Sequence, residues 1–211
     1  FPAQTIRARY DTLCARKSDI NEHLPTLRDY ASRVDSVVEM GVRGVVSTWA
    51  LLDGLATGLS GSGTPKLLVG VDRDACGYGE PIELAKQVGV EAHFVQGDSA
   101  KVEVPERDLL FIDTWHVYAH LKRELAAHAK TTRKYILLHD TTVDGEVGES
   151  IRCKHDIARQ VRESGYDRAE IEKGLWPAVE EFLAAHAGEW ALERRYENNN
   201  GLTVLRRTGS Q

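Results

Sequence analysis

Cysteine is scarce in this chain, and its placement excludes more than its number does. Cys14, Cys76 and Cys153 are odd in number, far apart and in no Cys-x-x-Cys pair, so neither a disulfide framework nor a thiolate zinc site is indicated. Basic charge is not in excess. The 27 lysines and arginines face 32 acidic residues, for a net charge of −5, which excludes the basic footprint of a nucleic-acid partner. No apolar run approaches the roughly 20 residues that span a bilayer, so no membrane partner is expected. The segment from Phe1 has no apolar core of signal-peptide length. A reducing, cytoplasmic setting is the expectation. Internal repeats and low-complexity tracts are also missing. What remains is 211 residues with 42% hydrophobic content, enough for one globular domain with a real core.

Apolar periodicity orders that core. Ile6, Tyr10, Leu13 and Cys14 share one helical face, and a second short helix is expected over 22–33. Residues 1–33 therefore read as a helical N-terminal extension, with 34–211 as the main domain. The amphipathic extension offers a surface for a homodimer contact. Compact apolar runs of strand length occur at 36–42, 66–72, 91–99, 107–113 and 134–140. Between them lie helical patterns at 47–59, 81–89 and 117–128, with a loop by composition at 60–65. A single helix is expected over 151–164 and another over 175–186, and residues 144–174 read as an insertion or lid. Asn200-Gly201 between two alternating runs signals a hairpin. Strands alternating with helices predict an α/β fold: a doubly wound, Rossmann-like, mostly parallel seven-stranded sheet with an antiparallel last strand and helices on both faces.

In such sheets ligands sit at the carboxyl ends of strands. The first strand ends in Glu39-Met40-Gly41-Val42-Arg43-Gly44. A dinucleotide fingerprint needs a second glycine where Arg43 stands, so a pyrophosphate ligand is disfavoured. Asp72 ends the second strand, where a carboxylate can accept both hydroxyls of a ribose. Gly97-Asp98-Ser99 ends the third, where polar groups can meet an adenine. A ribose and a positively charged ligand without a pyrophosphate describe S-adenosylmethionine. The expected cofactor set is Glu39, Gly41, Gly44, Ser47, Asp72, Asp98, Ser99 and Asp113. Taken singly, Gly41 and Gly44 are also ordinary turn glycines and Glu39 a chance strand-end acid.

Glu39-x-Gly41-x-x-Gly44, Val69-Gly-Val-Asp72 and Gly97-Asp-Ser together resemble the class I S-adenosylmethionine-dependent methyltransferases. The resemblance covers residues 34–207 as an architecture, and the closing antiparallel strand fits it. The glycine loop departs from the commonest family form at Arg43.

Asp113 ends the fourth strand and Asp140 the fifth. Two carboxylates brought together in a partly dry site repel unless a proton or a cation lies between them. Mg²⁺ takes a few carboxylate oxygens together with waters and substrate oxygens. Asp113-Thr114-Trp115-His116 resembles the Asp-x-Trp-Lys stretch of catechol-type, divalent-metal-dependent O-methyltransferases, and Leu138-His139-Asp140-Thr141 resembles their Ala-Asp-Asn stretch. The same spacing is similar to that of the sugar- and macrolide-directed enzymes. The resemblance implies Mg²⁺ or another divalent ion held by Asp113, Asp140 and Thr141. It places His116 at the catalytic lysine, with His139 as an alternative base. The implied partner is a small-molecule hydroxyl acceptor.

Plainer roles exist for each residue. Asp113 can cap the next helix, Asp140 can seed a turn, and His120, His128, His155 and His186 read as solvated helix residues. Trp115 is either core or close to the ligand, and Glu146 and Glu149 read as exposed. Three rival functions stay open: a nicotinamide-dependent oxidoreductase on a similar sheet, a non-catalytic binding subunit, and metal-independent transfer to nitrogen or carbon.

Overall fold

The structure, a computed structural model, describes residues 1–58 and 64–209. Residues 60–63 of the expected loop, and Leu59, lie outside the described residues. The chain runs α1 (Pro2–Ala15), a 3₁₀ turn (Asn21–His23), α2 (Leu24–Ala31), β1 (Ser36–Met40), α3 (Ser47–Thr57), β2 (Lys66–Asp72), α4 (Gly79–Gln87), β3 (Val90–Gln96) and β4 (Arg107–Ile112). It continues with α5 (Tyr118–His128), β5 (Thr132–His139), α6 (Glu149–Arg152), α7 (Ile157–Ser164), α8 (Arg168–Glu172), α9 (Trp176–Ala185), β6 (Trp190–Tyr196) and β7 (Leu202–Arg207).

One seven-stranded sheet has the order β3-β2-β1-β4-β5-β7-β6. Pairings among β1 to β5 are parallel, and β7 is antiparallel to both β5 and β6. The expected sheet and its antiparallel last strand are therefore present. The hairpin turn carries positive φ at Asn199, Asn200 and Gly201, conformations that Asn and Gly adopt at least cost.

β1 and β4 are buried along their whole length, which is why their apolar residues, Val37-Val38 and Leu109 to Ile112, are contiguous rather than alternating. Alternate residues feed two cores. Val37, Leu109, Phe111, Leu137 and Val204 face one side, and Val38, Leu110, Ile136, Leu138 and Leu205 face the other. Helix α5 and α9 side chains such as Leu121, Leu125, Val179 and Phe182 pack on the second core.

The N-terminal helices belong to the first core: Ile6, Tyr10, Leu24, Leu27 and Tyr30 are buried in the same cluster as the sheet residues. The apolar face of the extension is thus covered within the chain. No helix among the described residues is long and apolar enough to cross a membrane.

The single helix expected over 151–164 is in fact two. Lys154 takes φ +55° and ends α6. Asp156 then caps α7 by accepting from the Arg159 amide at 2.9 Å, as side-chain oxygens at this position do. Helix α8, capped in the same way by Asp167, is too short to show a period.

Candidate functional site

β4 and β5 are neighbours in register, with Ile112 opposite Leu138, so the residues that follow them converge. Asp113, His116, His139, Asp140 and Asp144 meet at this point. His116 Nε2 lies 3.0 Å from Asp113 Oδ1 and 3.1 Å from Asp140 Oδ2. On its other side, Nδ1 lies 3.2 Å from Asp144 Oδ2 and 3.6 Å from Glu149 Oε2. His139 Nδ1 is 3.4 Å from Asp113 Oδ1 and 3.2 Å from Asp140 Oδ2. Asp113 caps no helix, because α5 begins after Val117 with no side-chain cap. Asp140 has φ +58°, uncommon for a non-glycine residue. Its carbonyl also opens a turn, accepting from the Asp144 amide at 3.0 Å.

Electrostatics follow from this crowding. Burial pushes the His116 imidazolium down, but Asp113, Asp144 and Asp140 outweigh it and hold the ring protonated well above its usual range. Burial likewise works against charged His139, yet Asp113 and Asp140 push it up to about 10. Asp113 is half-buried, and desolvation alone would raise it, but the imidazoles of His116 and His139 beside it hold it far below the ordinary carboxylate range. In the metal-free protein the two imidazoliums are the counter-charge that converging carboxylates require.

Asp144 was not foreseen. It is fully buried, and Arg152 donates to both its oxygens at 2.5 and 2.8 Å. No sequence spacing advertises it, since it reaches His116 only through the turn after Asp140. That turn is in turn held from outside: the Thr142 and Val143 amides both donate to the Asn200 carbonyl of the hairpin at 3.0 Å.

Thr141 does not face the cluster. It is fully buried and its hydroxyl accepts from Thr203 Oγ1 at 2.9 Å on β7. Thr141 lies in the turn after β5, past the left-handed Asp140, and this bond to β7 holds its hydroxyl. The third acid beside His116 is Asp144, in the place expected of Thr141.

The expected cofactor residues divide. Gly41 has φ +89°, and a Cβ there would stand 1.9 Å from the Asp113 carbonyl oxygen. Its amide donates to Val71, while the Asp113 amide donates to Met40, so the first loop and the fourth strand end are locked together. Gly44 has no such constraint, as its Cβ would meet only Val46 at 3.8 Å. Glu39 is fully buried beneath the loop and accepts from Ser47 Oγ and, at 2.7 Å, from Thr48 Oγ1. Glu39 and Ser47 thus satisfy each other and fix the start of α3, rather than presenting free groups at the strand ends. Burial pushes Glu39 up to about 7 against those two hydroxyl donors.

Asp72 Oδ2 accepts from the Val42 and Arg43 amides at 2.9 and 2.8 Å, and Oδ1 from the Asp74 amide at 2.9 Å. Burial would raise it, but these amides hold it below the usual range. Asp72 shapes the glycine loop in addition to any ribose it meets. Asp98 forms a turn with the Ala100 amide at 3.0 Å and pairs with Lys101 at 2.8 Å.

Ser99 is buried, with its hydroxyl 2.9 Å from His120 Nε2 and its carbonyl 2.6 Å from His128 Nε2. His120 and His128 are accordingly core residues, not solvated ones. The insertion covers His120: its Nδ1 lies 3.3 Å from the Tyr166 hydroxyl, and Trp115 stacks on Tyr166 at 5.9 Å. The insertion is stitched to the site rather than loose. The Glu149 amide donates to the His116 carbonyl at 2.9 Å, and the His116 amide to Glu149 Oε2 at 3.3 Å. Glu146 is exposed and Glu149 half-buried.

No protein-family model and no curated protein matches the sequence. Solved structures do match in fold. The S-adenosylmethionine complex of the O-methyltransferase TomG from Streptomyces achromogenes, involved in tomaymycin synthesis, superposes with a TM-score of 0.57 at 14% identity, covering 99% of this chain and 90% of that one. The S-adenosylhomocysteine-bound methyltransferase PaMTH1 of Podospora anserina gives 0.53 at 13% identity, with 97% and 88% covered. The N-methyltransferase NodS of Bradyrhizobium japonicum gives 0.54 at 12% identity, with 89% and 94% covered. The fold is that of the class I S-adenosylmethionine-dependent methyltransferases.

Proposed function

We propose that this chain transfers the methyl group of S-adenosylmethionine to a hydroxyl of a small, polyhydroxylated molecule, with a divalent ion held at Asp113 and Asp140. The observation that carries the reading is the convergence of Asp113, His116 and Asp140 at adjacent strand ends within this fold. The donor set fits an ion. Asp140 Oδ1 and both His139 ring nitrogens are buried and have no hydrogen-bond partner, although such groups nearly always find one.

When bound, a divalent ion supplies Lewis acidity that lowers the pKa of a nearby hydroxyl. The chain's own residues account for the rest. Gly41 and Asp72 shape the first loop, and Asp113 ties that loop to the acceptor side. His116 Nε2, which faces Asp113 and Asp140, is the nitrogen placed to accept a hydroxyl proton. Asp144, clamped by Arg152, steadies the Nδ1 side of the ring, as a carboxylate behind a catalytic histidine does. The paired aspartates weigh against metal-independent transfer, and Arg43 in the first loop weighs against a nicotinamide dinucleotide.

Calorimetric titration with S-adenosylmethionine, S-adenosylhomocysteine and NAD, with and without a divalent ion, tests this. Binding of S-adenosylhomocysteine but not NAD is expected, and the reverse order of affinity would overturn it.

A further inference from the structure

We propose that His139 is a metal ligand, joining Asp113 and Asp140 in a mixed nitrogen–oxygen site that selects a borderline first-row divalent ion, of the cobalt or zinc type, over magnesium. The proposal rests on the metal-assisted reading above and deepens it.

One ligand atom from each of Asp113, His139 and Asp140 lies within 4.8 Å of the others. The His139 side chain is 1% exposed, and neither ring nitrogen makes a hydrogen bond. Its Nδ1 is nonetheless aimed at two carboxylate oxygens, at 3.2 and 3.4 Å. A buried imidazole whose nitrogens make no hydrogen bond, beside an Asp140 Oδ1 that also makes none, is an unfavourable arrangement for packing alone. It suits a ring nitrogen that gives its lone pair to a metal ion. His23 stands edge-on to the ring at 5.7 Å, but its own Nε2 bonds the Asn198 carbonyl at 2.9 Å, so it walls the site without ligating.

A second group of possible ligands, His116, Asp140 and Asp144, has the same compactness. There Asp144 is already neutralised by the two-bond clamp of Arg152, and the guanidinium opposes a further cation. Neither Asp113 nor Asp140 is paired with a lysine or arginine among the described residues. The ion therefore belongs on the His139 side. Magnesium keeps to oxygen donors, whereas imidazole suits zinc, cobalt, nickel and iron.

The test uses the full chain freed of metal by dialysis against a chelator. Binding of Co²⁺ and Mg²⁺ is measured by calorimetry, and nitrogen coupling to bound Mn²⁺ by pulsed electron paramagnetic resonance. Wild type should show ¹⁴N coupling, retained in His116→Ala and lost in His139→Asp. His139→Asp should lower the Co²⁺-over-Mg²⁺ preference by at least the roughly 10–100-fold seen for lesser perturbations of metal sites. Absence of ¹⁴N coupling in wild type overturns the proposal without any variant, as does an unchanged ion preference in a folded His139→Asp protein. S-adenosylhomocysteine titrated into the same samples separates the two readings. Nucleoside binding with no nitrogen-coupled ion sinks the ligand proposal alone. A nitrogen-coupled ion with no nucleoside binding supports it and sinks the methyl-transfer reading.

Discussion

Asp144 holds a carboxylate oxygen 3.2 Å from Nδ1 of His116, while the opposite nitrogen of that ring faces Asp113 and Asp140. Asp144→Asn would remove the charge behind the ring and loosen the Arg152 clamp. Turnover with a competent hydroxyl acceptor should fall toward that of His116→Ala, itself roughly 10²–10⁴-fold below wild type. Affinity for S-adenosylhomocysteine should not change, because Asp144 lies on the far side of His116 from the glycine loop. A loss of nucleoside affinity matching the loss of turnover would show that Asp144 maintains the fold rather than the base.

The two clustered imidazoliums, one buried and one half-buried, make the protein sensitive to alkali in the absence of a divalent ion. Both His116 and His139 have raised pKa values, the latter about 10. Their stabilisation is fully present below the ordinary histidine value of 6.5 and is lost as pH rises toward 10. Thermal melts in EDTA should therefore decline across that window. Asp113→Asn should flatten the decline, since it removes a carboxylate that raises both rings. A melting temperature that is level from pH 7 to 10 in wild type would count against the protonated pair.

Glu39 gives a second, separable pH effect. Its folded value of about 7 lies above the ordinary 4.5, so stability is greatest below 4.5 and is lost as pH rises through 7. Glu39→Gln keeps an acceptor for one hydroxyl and removes the cost of burying a charge. It should be the more stable protein at pH 8, by up to about 3 kcal/mol, and gain nothing at pH 4.5. Denaturant titrations at the two pH values read the difference. A variant less stable than wild type at both would show that the Ser47 and Thr48 bonds outweigh the charge.

The two loop glycines should behave unlike one another. Gly41→Ala forces a Cβ into the Asp113 carbonyl at positive φ and should cost at least about 2 kcal/mol. It should also weaken ion binding by displacing Asp113. Gly44→Ala meets only an ordinary contact and should change stability by less than about 0.5 kcal/mol. Equal stability losses in the pair would contradict the lock between the loop and the fourth strand.

Thr141→Val separates the turn from the ion site. It leaves the buried Thr203 hydroxyl without its acceptor and should cost about 1–3 kcal/mol, with ion affinity intact. Asp140→Asn should do the opposite. Loss of ion binding in a folded Thr141→Val protein would return Thr141 to the ligand set.

The sheet was legible because β1, β4 and the end of β5 are buried on both faces, which leaves contiguous rather than alternating apolar residues in the sequence. Asp113, His116 and Asp140 were legible because they sit within four residues of those runs. Asp144 was not, because its place depends on a left-handed residue at 140 and on a hairpin some sixty residues later that holds the turn. His120 and His128 were misread for a related reason. The α5 pattern shows one apolar face, but Ser99 and Tyr166 cover a second one, and no local spacing reveals a cover that comes from elsewhere in the chain. Glu39, Ser47 and Asp72 were located correctly as strand-end and helix-start groups, yet their hydrogen bonds run to one another and to the loop amides.

The 3₁₀ turn near the start of the chain is hydrogen-bonded to the β6–β7 hairpin turn. The Glu22 amide donates to Asn199 Oδ1 at 3.0 Å, Asn198 Nδ2 to Glu22 at 2.6 Å, and Asn199 Nδ2 to the Ser18 carbonyl at 2.8 Å. These partners are about 180 positions apart. On the ribosome, α1 and α2 are made first, yet the contacts at His23 and Ser18 must wait until β7 has been synthesised. At about 5–20 residues per second, that wait lasts on the order of ten seconds or more, with the Ile6–Tyr10 face provisionally covered by α3 at best. The same hairpin holds the turn that carries Asp144, so the Asp113–His116–Asp144 cluster is completed among the last parts of the molecule. A chain stalled before β7 would lack both the strand that pairs with β5 and the hairpin that holds this turn, and long-range closure of this kind is the slow step expected for such a topology.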